Sequence, residues 1–260
     1  MKALSSRANA QFKALRLLAA DAREQRRQQR TLLEGAHLVA AYRDKCGAPE
    51  QLIVSAHGME QAEIRALVAG ATPSLLLADD LFAALSTLAT PAGIMAVIPI
   101  PAPAPPQARA SCVLLDALQD GGNVGAILRS AAAAGVRDVF LGPGCASAWA
   151  PRVLRAAQGA HFDLSIAEQA DLAQLLQERA GSVVAATAEG GEDLFRLDLT
   201  GPVAWLFGNE GAGISAALLA LAGRRASIPM AAGSESLNVA AAAAVCLFEQ
   251  VRQGRLARRQ

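Results

Sequence analysis

A chain of 260 residues with 53% hydrophobic and 18% charged side chains can bury one large core or two modest ones, which excludes intrinsic disorder. No apolar run reaches the roughly 18 residues that a membrane-spanning helix needs, and residues 1–11 contain no apolar signal core, so a cytoplasmic protein is expected. The net charge of +1 conceals an asymmetry: residues 1–30 carry +6, the last nine, with Arg258 and Arg259, carry +4, and the remainder carries −9.

In chain order, the first element is a basic helix over 8–20. Arg7, Lys13, Arg16, Arg23 and Arg27 on and around it are candidate contacts to the phosphates of a polyanion, and a merely solvated helix face is the alternative. Leu32–Val39 reads as a strand turning into a helix. Then follow a strand at Leu52–Ser55, a helix at Met59–Val68 and a strand at Ser74–Leu77. An Asp-capped helix at Asp79–Leu88 and a strand at Gly93–Ile98 complete a small α/β unit. Proline recurs through Pro99–Pro106 and makes a stiff, extended spacer. The expected division is 1–98, a linker at 99–109, and a second domain at 110–260.

Beyond the linker, strands are expected at Cys112–Asp116, Asp138–Leu141, Asp163–Ile166, Val183–Thr187, Val203–Phe207 and Ala226–Pro229. Helices fit Asn123–Ala134, Pro151–Gln158, Gln169–Arg179, Ile214–Ala222 and Ser236–Arg252. The strands are continuous apolar runs, which suits a parallel sheet covered on both faces, with ligands beyond the strands' C-terminal ends. The expected class is therefore α/β.

Three polar clusters each follow a strand. In Gln119-Asp-Gly-Gly-Asn-Val-Gly-Ala-Ile-Leu-Arg129, Asn123 is a natural helix N-cap and Arg129 lies in the helix behind it. In Leu206-Phe-Gly-Asn-Glu-Gly-Ala-Gly213, the letters from Gly211 to Ala216, with Glu235 downstream, imitate a dinucleotide fingerprint. Too little chain remains for a nicotinamide fold, and Glu210 would repel a pyrophosphate. The third, Ile228-Pro-Met-Ala-Ala-Gly-Ser-Glu-Ser-Leu-Asn238, leads into the last helix. Cys46, Cys112, Cys145 and Cys246 form no Cys-x-x-Cys pair and have no histidine at ligand spacing, so no metal site is expected.

Together, in this order, the clusters resemble the three motifs of the SpoU/TrmH family of SPOUT RNA methyltransferases, over residues 112–253. Leu32-Leu-Glu-Gly-Ala-His-Leu-Val39 and Gly93-Ile-Met-Ala-Val97 resemble the ends of that family's ribosomal-protein-like substrate-binding domain. Ser6-Arg-Ala-Asn-Ala-Gln-Phe-Lys13 resembles the leader of its ribosomal-RNA branch. Gly121 departs from the family's usual Pro, which predicts a looser first loop.

The resemblance implies a trefoil-knotted C-terminal domain, a homodimer, and S-adenosylmethionine-dependent 2′-O-methylation of a ribose in RNA, with ribosomal RNA favoured. The methyl donor is already charged, so no metal is implied. Carried across, Asn123, Arg129, Glu210, Ser236 and Asn238 are the catalytic positions, with Glu210 orienting the loop and Arg129. Thr187, Leu206, Gly208, Asn209, Ile228, Met230 and Leu237 form the cofactor cradle. The alternatives are a non-catalytic RNA-binding or ribosome-assembly protein that keeps the fold, and a nicotinamide oxidoreductase.

Overall fold

A computed structural model describes residues 1–70, 72–107, 109–179, 181–231 and 236–257; Glu235, Arg258 and Arg259 lie outside them. The elements begin with β1 (Lys2–Leu4), α1 (Ala10–Ala20), α2 (Ala22–Gln28), β2 (Arg30–Glu34), α3 (Ala36–Cys46), β3 (Gln51–Ser55), α4 (Ala62–Val68), β4 (Ser74–Leu77), α5 (Asp79–Ala83) and β5 (Ile94–Pro99). They continue with β6 (Cys112–Leu115), α6 (Gly121–Ala133), β7 (Asp138–Leu141), α7 (Pro151–Ala157), β8 (Ser165–Glu168) and α8 (Leu172–Gln177). The last are β9 (Ser182–Ala186), β10 (Glu192–Asp193), β11 (Val203–Phe207), α9 (Ala216–Leu221), β12 (Arg224–Ser227) and α10 (Val239–Ala257).

Two compact units result. The first comprises Met1–Pro101 with Trp149–Phe162, and the second comprises Ala102–Ala148 with Asp163–Gln260. The segment 149–162, which the sequence division places in the second domain, thus groups with the first unit. Its attachment is specific. The Thr31 hydroxyl donates a buried 2.8 Å hydrogen bond to the Trp149 carbonyl, and α7 packs against β2. Tyr42 meets Phe162 edge-on with centroids 5.4 Å apart.

The first unit's sheet has the order β1-β4-β3-β5-β2. β1 pairs parallel with β4, an edge strand too short to show as a periodic pattern. Asn9 caps α1 by accepting from the Gln11 N–H at 2.8 Å, and Phe12, Leu15 and Leu18 point into the core. The helix expected at 79–88 is the single short α5. Asp79 lies in its first turn, Ala78 holds the cap position without a side-chain bond, and the Asp79 carboxylate accepts from the His57 N–H at 2.9 Å.

The second unit is built on a seven-stranded sheet, β10-β12-β9-β11-β6-β7-β8, with every pairing parallel. β6 and β11, buried along their whole length, lie side by side near its centre. This is the position that continuous apolar runs require. β12 runs 224–227, two residues earlier than expected, because Pro229 has no N–H to give to a ladder. β8 starts at Ser165, since Ala160–Asp163 is a 3-10 turn. The final helix is pinned to the sheet from inside: the Trp205 indole N–H donates to Gln250 Oε1 at 2.8 Å, and Gln250 Nε2 donates to Ser111 Oγ at 2.8 Å.

Replacing Thr31 by Val keeps the side-chain shape but leaves the buried Trp149 carbonyl without its donor. Stability should fall by about 1–3 kcal/mol, seen in urea unfolding as a lower midpoint at unchanged slope.

Candidate active site

The order in which strands are added to the parallel sheet reverses near its middle. From β6 the chain runs outward through β7 to β8, then builds β9, β12 and β10 on the other flank, with β11 between β6 and β9. Loops leaving the C-terminal ends of neighbouring strands diverge at such a reversal and leave a crevice. A cavity of about 570 Å³ opens to one side of this reversal, at the C-terminal ends of β9, β11 and β12, between residues 186–189, 207–214, 226–230 and, leading into α10, 236–242. That volume suits a ligand of cofactor size.

A seam of hydrogen bonds at its mouth ties the three polar clusters together. Asn238 Nδ2 donates to Asn123 Oδ1 at 2.9 Å, and Asn123 Nδ2 donates to Glu210 Oε1 at 3.0 Å. The Glu210 carboxylate also accepts from the backbone N–H groups of Asp120, at 3.1 Å, and Gln119, at 3.4 Å. Burial pushes the Glu210 carboxyl up, but the bonds from Asn123 and the backbone amides outweigh it, and its pKa is held below the ordinary value. Glu210 is therefore ionised at neutral pH and acts as an acceptor.

The seam exists because Asn123 does not cap its helix. Asp120 takes that place, accepting from the Asn123 N–H at 3.0 Å, which leaves the Asn123 amide free to bridge Glu210 and Asn238. The cap of α10 is instead Asn238, whose Oδ1 accepts from the N–H groups of Ala240 at 2.9 Å and Ala241 at 3.3 Å. The helix expected from Ser236 thus begins at Val239.

Asn209 organises the loop after β11. Its Oδ1 accepts from the N–H groups of Gly211 and Ala212, each at 2.9 Å. Its Nδ2 donates to the Ala117 carbonyl at 2.8 Å, which holds Ala117 in the left-handed region at φ 52°. A Cβ on Gly208 would lie 2.3 Å from the Gly213 and Ile214 backbone, so only glycine lets this loop close on itself.

Of the candidate cradle, Thr187, Gly208, Asn209, Ile228, Met230 and Leu237 line the cavity. Leu206 does not; its side chain is fully buried in the core of the second unit. Of the candidate catalytic set, Glu210, Ser236 and Asn238 line the cavity and Asn123 adjoins it through the seam. Arg129 does not line it and is exposed on α6, and Glu210 is engaged with the loop instead of with Arg129. Among the described residues no group of three or more His, Cys, Asp or Glu is placed to hold a metal.

Two residues escaped sequence reasoning. The Asp116 carboxylate accepts from the Ser215 N–H at 2.8 Å and anchors the loop before α9; an acid at the C-terminal end of a central strand was the available signal. Glu189 lines the cavity just beyond β9, and nothing in its local pattern distinguishes it from a surface carboxylate.

In the candidate RNA-binding set, Lys13, Arg16 and Arg23 are exposed without a side-chain partner among the described residues. Arg27 is paired with Glu24, and Arg7 lies 3.4 Å from Asp80.

Comparison with known proteins matches residues 110–248 to the SpoU rRNA methylase family and residues 9–96 to the MRM3-like substrate binding domain. The chain is 32% identical over 219 residues to the 23S rRNA (guanosine(2553)-2′-O)-methyltransferase RlmP of Bacillus subtilis, covering 84% of this chain and 86% of that protein. An uncharacterized tRNA/rRNA methyltransferase of Synechocystis is 33% identical over 236 residues, covering 88% of this chain and 86% of that protein. Among solved structures, the SpoU methyltransferase AviRb of Streptomyces viridochromogenes in complex with AdoMet aligns with a TM-score of 0.86 at 28% identity, covering 96% of this chain and 99% of that one.

Gly121 opens α6, where a missing N–H costs nothing, and Asp120 before it is extended at φ −80°, ψ 116°, as a residue before proline must be. Gly121→Pro should therefore stabilise the protein by about 0.4–1 kcal/mol, read as a raised melting temperature; a lowered one would show that the first turn has no room for the ring.

Proposed function

This chain belongs to the SpoU rRNA methylase family and is an S-adenosylmethionine-dependent RNA 2′-O-methyltransferase, and we propose that the cavity beyond β9, β11 and β12 is where its cofactor binds. The observation that carries the reading is the Glu210–Asn123–Asn238 seam, which joins all three motif clusters at the mouth of one cavity.

The chemistry of the lining supports the assignment. Apolar side chains from Phe207, Ile214, Leu219, Ile228, Met230 and Leu237 surround the space, and the described lining contains the carboxylates Glu189 and Glu210 but no Lys, Arg or His. Such a lining suits a nucleoside bearing positive charge and would repel a polyphosphate. When bound, S-adenosylmethionine supplies a methyl group on a positively charged sulfur.

The protein's part is to present the ribose oxygen in line and to accommodate its proton. In our reading Arg129, whose guanidinium is a donor without acceptor capacity and hence a poor base, holds the neighbouring phosphate and stabilises the developing alkoxide. Its exposure and its absence from the cavity lining support contact with RNA and not with cofactor. The proton leaves through Ser236, water or that phosphate. Glu210, Asn123 and Asn238 act as positioning residues, holding the loop after β6 against the start of α10. Thr187, Gly208, Asn209, Ile228, Met230 and Leu237 form the cradle, and the backbone beside Leu206 contributes only through its neighbour Phe207.

We further infer a homodimer, supported by Phe248 and Leu256, 48% and 49% exposed on the Ala-rich α10, and by an Arg129 that does not line its own protomer's cavity. The knotted path implied by family resemblance, and action in the cytoplasm where ribosomal RNA is available, belong to the same proposal. The division into a substrate-binding part at 1–98, a linker at 99–109 and a catalytic part at 110–260 does so too, with Trp149–Phe162 lent to the first unit. Mapping 2′-O-methylation in ribosomal RNA from cells with and without this gene tests the function, and a site lost with the gene and restored by the wild-type copy is the expected result.

Arg129→Ala should abolish methyl transfer while leaving S-adenosylmethionine affinity within a few-fold in calorimetry; loss of both would place Arg129 in the cradle.

If the leader contacts phosphates, neutralising Lys13, Arg16 and Arg23 should flatten the dependence of log K on log salt by roughly two to three units, at about 0.7–0.9 per contact. RNA binding across a salt series measures this, and an unchanged slope returns the leader to a solvated helix face.

A further inference from the structure

Two carboxylates border the cavity, and they are not equivalent. Glu210 is engaged by three donors, the Asn123 amide and two backbone N–H groups, which tie it to the loop after β6. Glu189 is exposed and has no hydrogen bond or ion pair among the described residues, although its backbone is held firmly on both sides. Before it, the Thr187 N–H donates to the Ala226 carbonyl at 2.9 Å. After it, Gly190 turns at φ +71°, and a Cβ on Gly191 would lie 2.7 Å from the Ala226 carbonyl carbon, so the chain is pressed onto β12. Ser227 Oγ donates to the Gly191 carbonyl at 3.0 Å. The next acid, Glu192, is neutralised by Arg224 at 3.0 Å. A held backbone thus sets a carboxylate with no hydrogen bond or ion pair among the described residues at the rim of a pocket whose described lining has no cation.

We propose that Glu189 is a specificity-determining residue that distinguishes the charged methyl donor from its spent form. Methyl transfer breaks the S–CH₃ bond, leaves the electron pair on sulfur, and turns a sulfonium into a neutral thioether, while the 2′-oxygen gains the methyl and loses its proton. The donor therefore carries one more positive charge than S-adenosylhomocysteine, and the two are otherwise nearly the same shape. Apolar packing and backbone contacts hold both alike. A fixed negative charge does not: it favours the donor and weakens the hold on the product as soon as transfer is complete. The inference rests on the cofactor being bound in this cavity.

Calorimetric titration of the full chain with S-adenosylmethionine and with S-adenosylhomocysteine, without RNA, tests it. Glu189→Gln should weaken donor binding by roughly three- to tenfold, the scale of one unit charge in a solvent-exposed setting, and change product binding by less than about twofold. The wild type's preference for donor over product should shrink as salt is raised, and the variant's should not. Glu192→Gln, which removes a paired charge outside the lining, should leave the ratio of the two affinities unchanged. Equal weakening of both ligands by Glu189→Gln, or the same change of ratio in Glu192→Gln, overturns the inference. A wild type that binds neither ligand, or binds them undisturbed when Ala242→Trp fills the cavity, overturns the placement of the cofactor instead.

Discussion

The hydrogen-bonded seam from Asn238 through Asn123 to Glu210 is the constraint on which the site depends. It links the loop after β6, the loop after β11 and the start of α10, residues separated by 115 positions at the Asn238–Asn123 step and 87 at the next. Each neutral bond contributes about 0.5–1.5 kcal/mol and those to the carboxylate somewhat more, so the loops are ordered as a set. The ionisation of Glu210 is part of this. Because its folded-state pKa lies below the ordinary value, its stabilising contribution is fully present at neutral pH and is lost as the pH falls through that depressed pKa.

Behind the seam, the parallel sheet supplies the rigid platform. Central strands β6 and β11 bury every side chain, and α10 is fastened to them through Trp205, Gln250 and Ser111. Loops can carry polar, glycine-rich sequence without losing their geometry because both ends of each are set in that platform. Ala117, in the left-handed region, is tolerated only because Asn209 holds its carbonyl. The Gly121 that suggested a loose loop is offset in the same way: Asp120 caps the helix and Glu210 takes the backbone amides before it.

The first unit shows a different economy. Its sheet is mixed, and its α/β pattern was plain in the hydrophobic runs at 32–39, 52–55, 74–77 and 93–98. Yet it is completed by a helix from far along the chain, α7, joined through Thr31 and the rings of Tyr42 and Phe162. A segment with good local helix signals, Pro at its first position among them, says nothing about which sheet it will cover.

Much of this protein is legible in local chemistry. Apolar run length separated buried parallel strands from loops, the proline cluster marked the interval in which one unit gives way to the next, and polar clusters after strands marked the crevice, because strand ends are where backbone groups and polar side chains converge. What the sequence could not decide were partner choices across distance. Whether Asp120 or Asn123 caps α6, whether Glu210 meets Arg129 or backbone amides, and whether Leu206 or Phe207 faces the cavity all depend on competing hydrogen bonds and side-chain directions within a few residues. The isolation of Glu189 beside the paired Glu192 belongs to the same class, since it follows from where β12 places Arg224. Propensity and periodicity act over one or two turns of chain, whereas these outcomes depend on which surfaces the packed sheet brings within hydrogen-bonding distance, and only the tertiary structure specifies that.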